Sequence, residues 1–407
     1  MATRGESASE RAILFLVGAV QFVNILDFMI LAPLGPRVAS ELHMLESDLP
    51  DATAAYTFAG GIAGILGSFF LDRFERRSAL TVAALGLAAG TAAGGFARDL
   101  HELMAARMLA GTFGGPATSL AIAVVTDVIP VERRGRAMGA IMGAFAAASV
   151  AGVPLGIFLA EHGGFRVPLF AVAGLGVVIA LASLVLLPTL RGHLERKAKP
   201  FGYLEMLRRP TVLASYSMTA IVNAGFFVLV PNISTFVLNN VHLPEKQLKW
   251  MYLAGGVISF VTARLAGRFV DRRGAFQVGT VGTLLQMLVI WAGFASGLLP
   301  IPGALLVSMY LMFGFFMFSN SVRTVALQTL TSRVPRQDER ARFQSLQSSV
   351  QHLSSAAGAS LSARLLKTSP THELIGMERV AWVSLGCAVL LPLFMVRVER
   401  LVRAQTP

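Results

Sequence analysis

The sequence predicts an all-α membrane protein of twelve transmembrane helices, arranged as two six-helix bundles related by a pseudo-twofold axis. Three observations carry this expectation. Of 407 residues, 54% are hydrophobic and only 14% charged, against about 25% charged in soluble domains. Apolar stretches of roughly 20 residues, enough to cross a hydrocarbon core, recur from end to end. The second half also repeats features of the first at constant spacing. Helices are the expected spanning form because every backbone amide in lipid needs an internal partner, and these runs lack the alternation of barrel strands.

In chain order the spans are 11–33, 51–71, 78–97, 102–126, 136–160 and 167–189, then 211–238, 248–270, 276–299, 303–328, 341–366 and 377–397. A polar connection from Arg191 to Pro210 separates the two sets, so residues 1–190 form one bundle, 191–210 a cytoplasmic linker and 211–407 the other. The net charge of +12 marks orientation rather than nucleic acid. Arg73, Arg76, Arg77, Arg133, Arg134, Arg196, Lys197, Arg272, Arg273, Arg340 and Arg400 fall on one side, while the opposite loops carry few cations, such as Arg37, Arg98 and Lys246. That side is expected to be cytoplasmic and to hold both termini, in a multi-pass protein of the plasma membrane, here a bacterial inner membrane. The single cysteine, Cys387, excludes an intrachain disulfide, and the first apolar run reads as an anchor rather than a cleaved signal.

The repeat has a spacing of 199 residues: Val23-Asn24 returns as Val222-Asn223, and Asp72-Arg73 as Asp271-Arg272. Two like halves of six spans are what alternating-access carriers are built from, with substrate bound near the midplane between them. Gly267-Arg-Phe-Val-Asp271-Arg-Arg-Gly274 resembles the GxxxDRxG signature of the major facilitator superfamily. The first copy, Ser68 to Arg77, is similar but has lost both glycines, with Glu75 in the second glycine's place. Arg107-Met-Leu-Ala-Gly111 resembles that family's RxxxG motif of the fourth span. Gly152-Val-Pro154-Leu-Gly156 and Gly164-Phe-Arg166-Val-Pro168 are similar to motifs of its drug:proton antiporter and sugar-efflux branch. The resemblance covers nearly the whole chain and implies a transporter, working as a monomer on a small-molecule substrate. In its fold, spans one, four and eleven line the central cavity.

Each motif also has a physical reading. Asp72, Arg73, Arg76 and Arg77, and again Asp271, Arg272 and Arg273, suit a charged latch between helices at the cytoplasmic face, with plain loop charges as the alternative. Gly152, Pro154 and Gly156 form a small-residue face for close helix packing, with a possible kink.

Asp27 is the sharpest feature. An acid deep in a span is costly and usually faces a cavity or a partner. Its repeat equivalent is Phe226, so the shared architecture does not require it. Asp27 lies about 22 Å along its helix from the cytoplasmic end, and Arg107 about 7 Å from the opposite end, which puts them at similar depth. Burial favours a neutral carboxyl and a nearby guanidinium favours a charged one. A movement that changes either makes the acid take up or release a proton. Asp27 with Arg107 is therefore the expected proton-coupling pair; a static ion pair that fixes helix packing is the other reading.

Gln21, Asn24, Asn223, Asn320, Gln347 and Gln351 are candidates for bonding substrate, with helix-to-helix bonding as the alternative for each. His352 and Arg323 join them as titratable and cationic candidates, and Phe226 as an aromatic cavity wall. Amides, aromatics and one acid suit amphipathic or cationic compounds. The expected function is proton-coupled export of such compounds, with proton-coupled uptake second and a non-transporting membrane sensor third. No Walker A motif or convincing metal cluster is present in the sequence, so no enzyme activity, cofactor, metal or nucleic-acid partner is expected beyond substrate, proton and the lipid bilayer.

Overall fold

The computed structural model describes residues 8–129, 143–144, 147–190, 203–296, 304–336 and 339–404. The first half contains α1 (Ala8–Ile30), α2 (Leu49–Phe70), α3 (Arg76–Phe96), α4 (Leu100–Val128), α5 (Val153–Gly163, entered through a π-helical turn at Ala148–Gly152) and α6 (Arg166–Leu186). The second contains α7 (Pro210–Phe227), α8 (Glu245–Arg273), α9 (Ala275–Ile290), α10 (Leu305–Thr331), α11 (Arg340–Leu365) and α12 (Met377–Arg403). Nine helices among the described residues are long and apolar enough to cross a membrane; α2, α5 and α11 complete the set. Most of the 191–210 linker, the start of span five and Arg133, Arg134 and Arg136 lie outside the described residues.

Helix ends follow local chemistry. The Asp99 carboxylate accepts from Glu102 N at 2.8 Å while Glu102 accepts from Arg98 N at 2.8 Å, a reciprocal cap that starts α4. Span seven was expected to run unbroken over 211–238, but its α-helix ends at Phe227 and continues as a short 3-10 turn at Val230–Asn232 and a π turn at Phe236–Asn240. Pro231, which has no N–H to donate, sits at this break. The all-helical expectation also misses a two-residue antiparallel ladder, Lys367–Thr368 with Leu374–Ile375, between α11 and α12.

The halves meet along two seams, α2 against α11 and α5 against α8. Glycines allow both. A Cβ on Gly61 would lie 2.7 Å from Leu353 Cγ, and one on Gly256 would lie 2.8 Å from the Ser149 carbonyl. Contacts that cross between halves gather at the end away from the termini. Arg37 pairs with Glu245, Lys249 with Glu161, and His372 Nδ1 lies 2.9 Å from Glu46 Oε1. An apolar core joins both halves at that end, including Leu34, Val38 and Leu49 with Val237 and Leu248. At the terminus-bearing end the picture differs: the ion pairs Arg76–Asp127, Arg209–Glu339 and Arg403–Glu399 each stay within one half. A separate core, with Val212, Val270, Leu330 and Phe343, belongs to the second half alone.

Candidate functional site

Asp27 of α1 and Arg107 of α4 meet inside the first half, with Arg107 Nη1 donating to Asp27 Oδ1 at 3.0 Å and Nη2 to the Asp27 carbonyl at 3.2 Å. Asp27 is fully buried and Arg107 is 2% exposed, so the pair is shut away from both water and lipid. Thr91 of α3 places its hydroxyl 2.8 Å from the same Oδ1, and equally 2.8 Å from the Leu87 carbonyl. Asp27 Oδ2 and Arg107 Nε have no hydrogen-bond partner among the described residues. On its other side the guanidinium lies over the Tyr56 ring of α2, 4.4 Å from the centroid.

Tyr56 connects this pair to two further networks. Its hydroxyl donates to Asn24 Oδ1 at 2.8 Å, while Asn24 Nδ2 donates to the Gly114 carbonyl at 2.8 Å and to Thr118 at 2.7 Å. Thr118 is also 3.3 Å from Gln21 Oε1. Gln21 and Asn24, expected to bond substrate, are thus buried and partnered within the first half. An unsatisfied amide in a membrane interior is costly, and α4 supplies the partners. Gly114 leaves the room for this, since a Cβ there would lie 2.5 Å from the Tyr56 oxygen.

The second network is aromatic and crosses between the halves. Tyr56 packs on Phe28 at 5.4 Å between centroids and Phe28 on Phe227 at 5.5 Å. Phe227 packs on Phe226, Phe226 on Phe316 and Phe316 on Phe313 at 5.5, 6.0 and 6.5 Å. Tyr252 closes the ribbon, 4.9 Å from Phe313. Phe226, the expected cavity wall, is a link in it.

Gln351 of α11 is exposed, and Asn223, Asn320 and Gln347 are partly exposed. Asn223 also donates to the Thr219 carbonyl at 2.8 Å. His352 stands at the α2/α11 seam, where a Cβ on Gly60 would lie 3.6 Å from its Nδ1. Arg323 departs from expectation. It lines a separate small cavity between α7, α10 and α12, with Ile221, Val222 and Gly225 on the α7 side. At about 100° per residue those three share one face of α7, opposite Asn223 and Phe227.

The two expected latches differ. The Asp72 side chain lies outside the described residues, and Asp271, Arg272 and Arg273 are exposed. Around the first copy, Arg76 pairs with Asp127 at the end of α4, and Arg77 Nη1 donates to the Leu187 carbonyl at 3.4 Å. Glu75 caps α3, accepting from Arg77 N at 3.1 Å and Ser78 N at 2.9 Å, and also accepts from Leu190 N at 2.9 Å. Gly152 and Gly156 pack on α1, where Cβ atoms would lie 2.8 Å from Leu26 and 2.0 Å from Ile30, and Pro154 sits in the first turn of α5.

Sequence reasoning missed Thr91 and Tyr56. Neither is charged, and neither stands out from its span without knowledge of which faces meet.

The Major Facilitator Superfamily profile matches residues 17–359. The chain belongs to this superfamily. A chloramphenicol resistance protein of Streptomyces lividans is 28% identical over 282 residues, covering 69% of this chain and 71% of the relative. The inner membrane transport protein YdhP of Escherichia coli is 27% identical over 58% of this chain and 60% of its own length. A chloramphenicol efflux pump of Mycobacterium tuberculosis is 28% identical over 54% of each. Among solved structures, a D-xylose–proton symporter superposes with a TM-score of 0.75 over 95% of this chain and 97% of that one, at 17% identity, which speaks to fold alone. The chain is a multi-pass membrane transporter of small molecules, not an enzyme.

Proposed function

We propose that the chain is a proton-coupled antiporter that exports small amphipathic compounds by alternating access, with its terminus-bearing end in the bacterial cytoplasm. The observation that carries the reading is the buried Asp27 site. One carboxylate oxygen is held by Arg107 and Thr91 and the other has no partner among the described residues, an arrangement that accommodates both protonation states. With Asp27 ionised, Thr91 donates to it. With Asp27 protonated, Thr91 turns its proton to the equidistant Leu87 carbonyl and accepts from the acid. A change of charge state therefore needs no rebuilding of the helix.

Export is supported by the names of the relatives, one of a resistance protein and one of an efflux pump. Coupling is supported by the route from the pair to the opposite half. Tyr56 covers Arg107 and leans on Phe28, which meets Phe227 across the central space. Rocking of the halves moves Phe227 relative to Phe28, and so changes the packing over the ion pair. The basic residues at the terminus-bearing end support the orientation. Contacts between halves at the far end support a state closed to the outside, in which substrate enters from the cytoplasm.

The test uses purified protein in liposomes that contain a pH-sensitive dye, with chloramphenicol as the first probe and other amphipathic compounds after it. Substrate-dependent proton movement in the wild type, absent from Asp27→Asn while that variant still binds the compound, is the expected result. Proton movement that survives Asp27→Asn removes Asp27 from coupling. Movement of compound without protons removes antiport.

A further inference from the structure

The hairpin between α11 and α12 is bonded to both halves. Its ladder, Lys367–Thr368 with Leu374–Ile375, closes a turn in which Ser369 Oγ accepts from Thr371 N at 3.2 Å and from Glu373 N at 3.0 Å, and His372 takes φ +64. Leu366 and Leu374 are buried at its base. The second half holds it from one side: Asn239 Nδ2 donates to the His372 carbonyl at 2.7 Å, and the Asn240 side chain exchanges two 2.9 Å bonds with the Leu374 backbone. Its other side reaches the first half. Ser47 N donates to Thr368 Oγ1 at 3.1 Å, Thr368 Oγ1 donates to Ser47 Oγ at 3.2 Å, and His372 Nδ1 stands 2.9 Å from Glu46 Oε1. The hairpin is thus an arm of one half that grips the 3-10 turn Glu46–Asp48 of the other.

Glu46 decides what this grip responds to. It is 5% exposed and its Oε2 has no hydrogen-bond partner among the described residues, whereas His372 is largely exposed. A carboxylate withdrawn from water without a cation is costly, and His372 is the group placed to supply one. The surrounding charges are engaged elsewhere, exposed or of the same sign. Arg37 and Glu41 of the short helix Gly35–Glu41 pair with Glu245 and Arg166, and His43 is exposed. Asp48 adds a second acid, and Asp51 accepts from Ser360 at 3.5 Å within the field of Arg364. On the hairpin, Lys367 is exposed and Glu373 faces His242 at 3.9 Å. Parting the halves returns Glu46 to water. The gripped state therefore holds a proton on the Glu46/His372 pair more tightly than the parted state, whichever of the two groups carries it.

We infer that this hairpin is a pH-sensitive clasp of the end away from the termini, fastened by one proton held between Glu46 and His372. Closing takes the proton up, so closure is favoured in acid and the advantage is lost as pH rises through the histidine range of about 5 to 8. With the proposed orientation, which the clasp uses only to say which compartment it senses, an acidic exterior biases the transporter toward the state closed to the outside. The pair lies apart from Asp27, so the clasp acts whether or not transport is coupled to protons.

The test is the distance between spin labels on Arg98→Cys and Lys246→Cys, exposed positions of the two halves at that end. The full-length protein, with Cys387→Ala, is placed in lipid nanodiscs and measured by double electron–electron resonance at about pH 8 and about pH 5.5, toward either end of the histidine range. The ratio of short-distance to long-distance populations is expected to rise about 2- to 5-fold on acidification, the range for an ion pair with one exposed partner. His372→Asn, whose side chain tolerates the same positive φ, and Glu46→Gln, which keeps the shape of the acid, are each expected to lose most of this rise. His242→Asn is expected to keep it. Comparison with each variant removes the contribution of Asp27 and other titrating groups, which all samples share. Should Glu46→Gln fail to fold, His372→Asn, altered at an exposed side chain, decides alone. A wild-type ratio that is equal at the two pH values overturns the clasp, and so does a rise of the same size in His372→Asn. Loss of the rise in His242→Asn alone assigns it to the Glu373 contact and overturns the role of Glu46 and His372.

Discussion

The two halves are copies in architecture and opposites in how they treat a buried arginine. In the first, Arg107 is paired with Asp27, supported by Thr91 and covered by Tyr56. In the second, Arg323 has a neutral amide and a small cavity. The position equivalent to Asp27 holds Phe226, which contributes to the aromatic ribbon instead. Duplication therefore preserved the helices and their seams while the interior chemistry diverged. The buried Asp27–Arg107 ion pair therefore sits in one half only.

The largest effect comes from breaking the pair. Asp27→Leu leaves Arg107 as an uncompensated buried charge and is expected to lower stability by about 3–5 kcal/mol. Adding Arg107→Met is expected to restore wild-type stability or exceed it by about 1–4 kcal/mol, because the desolvation of both charges disappears together. Chemical unfolding in micelles measures both values. The double variant is also expected to show no substrate-driven proton movement in liposomes, which separates a coupling pair from a packing pair. A static packing role predicts that the double variant transports normally.

A second change makes the halves more alike. Asn320 Oδ1 already lies 2.9 Å from Arg323 Nη2, so Asn320→Asp gives this arginine an acid with almost no change in shape. The existing bond already has one charged partner, so the added gain is expected to be about 1 kcal/mol or less, read from chemical unfolding in micelles. A destabilised Asn320→Asp would mean that Arg323 is already neutralised in another way.

The seams allow a third test. Gly256 of α8 sits against the backbone of Ser149 and Val150 from the other half. Gly256→Val should overpack this seam by about 1–3 kcal/mol and favour the state in which it is parted. Ser47 is buried at the end away from the termini, and its N donates across the seam to Thr368 Oγ1 at 3.1 Å. A cysteine in place of Ser47 should then react with a membrane-impermeant maleimide roughly 5- to 150-fold faster, as that energy implies. An unchanged rate would show that the α5/α8 seam does not control closure at that end.

Much of this was legible in the sequence. Hydropathy placed most spans within a few residues, the start of span five lying outside the described residues, and depth along α1 and α4 was enough to bring Asp27 to Arg107. Depth, however, says nothing about rotation. Asn24 and Arg323 lie at levels suited to a central cavity, yet their helices turn Asn24 toward Thr118 and Gly114 and turn Arg323 toward α12. Thr91 is an ordinary threonine until α3 is seen against α1. The break after Phe227 had a visible signal in Pro231, outweighed by the apolar run around it. The ladder at Lys367–Thr368 had none, because two residues are too short for any period to register.

The loss of glycine from the first signature copy is where the halves differ most locally. Gly274 takes φ +88 at the turn between α8 and α9, a conformation that favours glycine. Its equivalent at the same 199-residue spacing, Glu75, has φ −62 and ψ 130, because the first half enters this turn through a 3-10 segment at Leu71–Arg73. The side chain then becomes useful: partial burial opposes its charge, but hydrogen bonds from Leu190 N, Ser78 and Arg77 N outweigh this and hold the Glu75 carboxyl down to about 2. A carboxyl whose folded value lies below its unfolded 4.5 contributes stability that is fully present above about 4.5 and is lost as pH falls toward about 2. Glu75→Ala is expected to lower stability by about 1 kcal/mol at neutral pH, the usual effect of losing a helix cap. The difference from wild type should shrink on acidification to near pH 2. A difference that stays constant over that range would show that the carboxyl's charge plays no part in joining α3 to the end of α6, and that the first half's turn depends on shape alone, as the second half's does through Gly274.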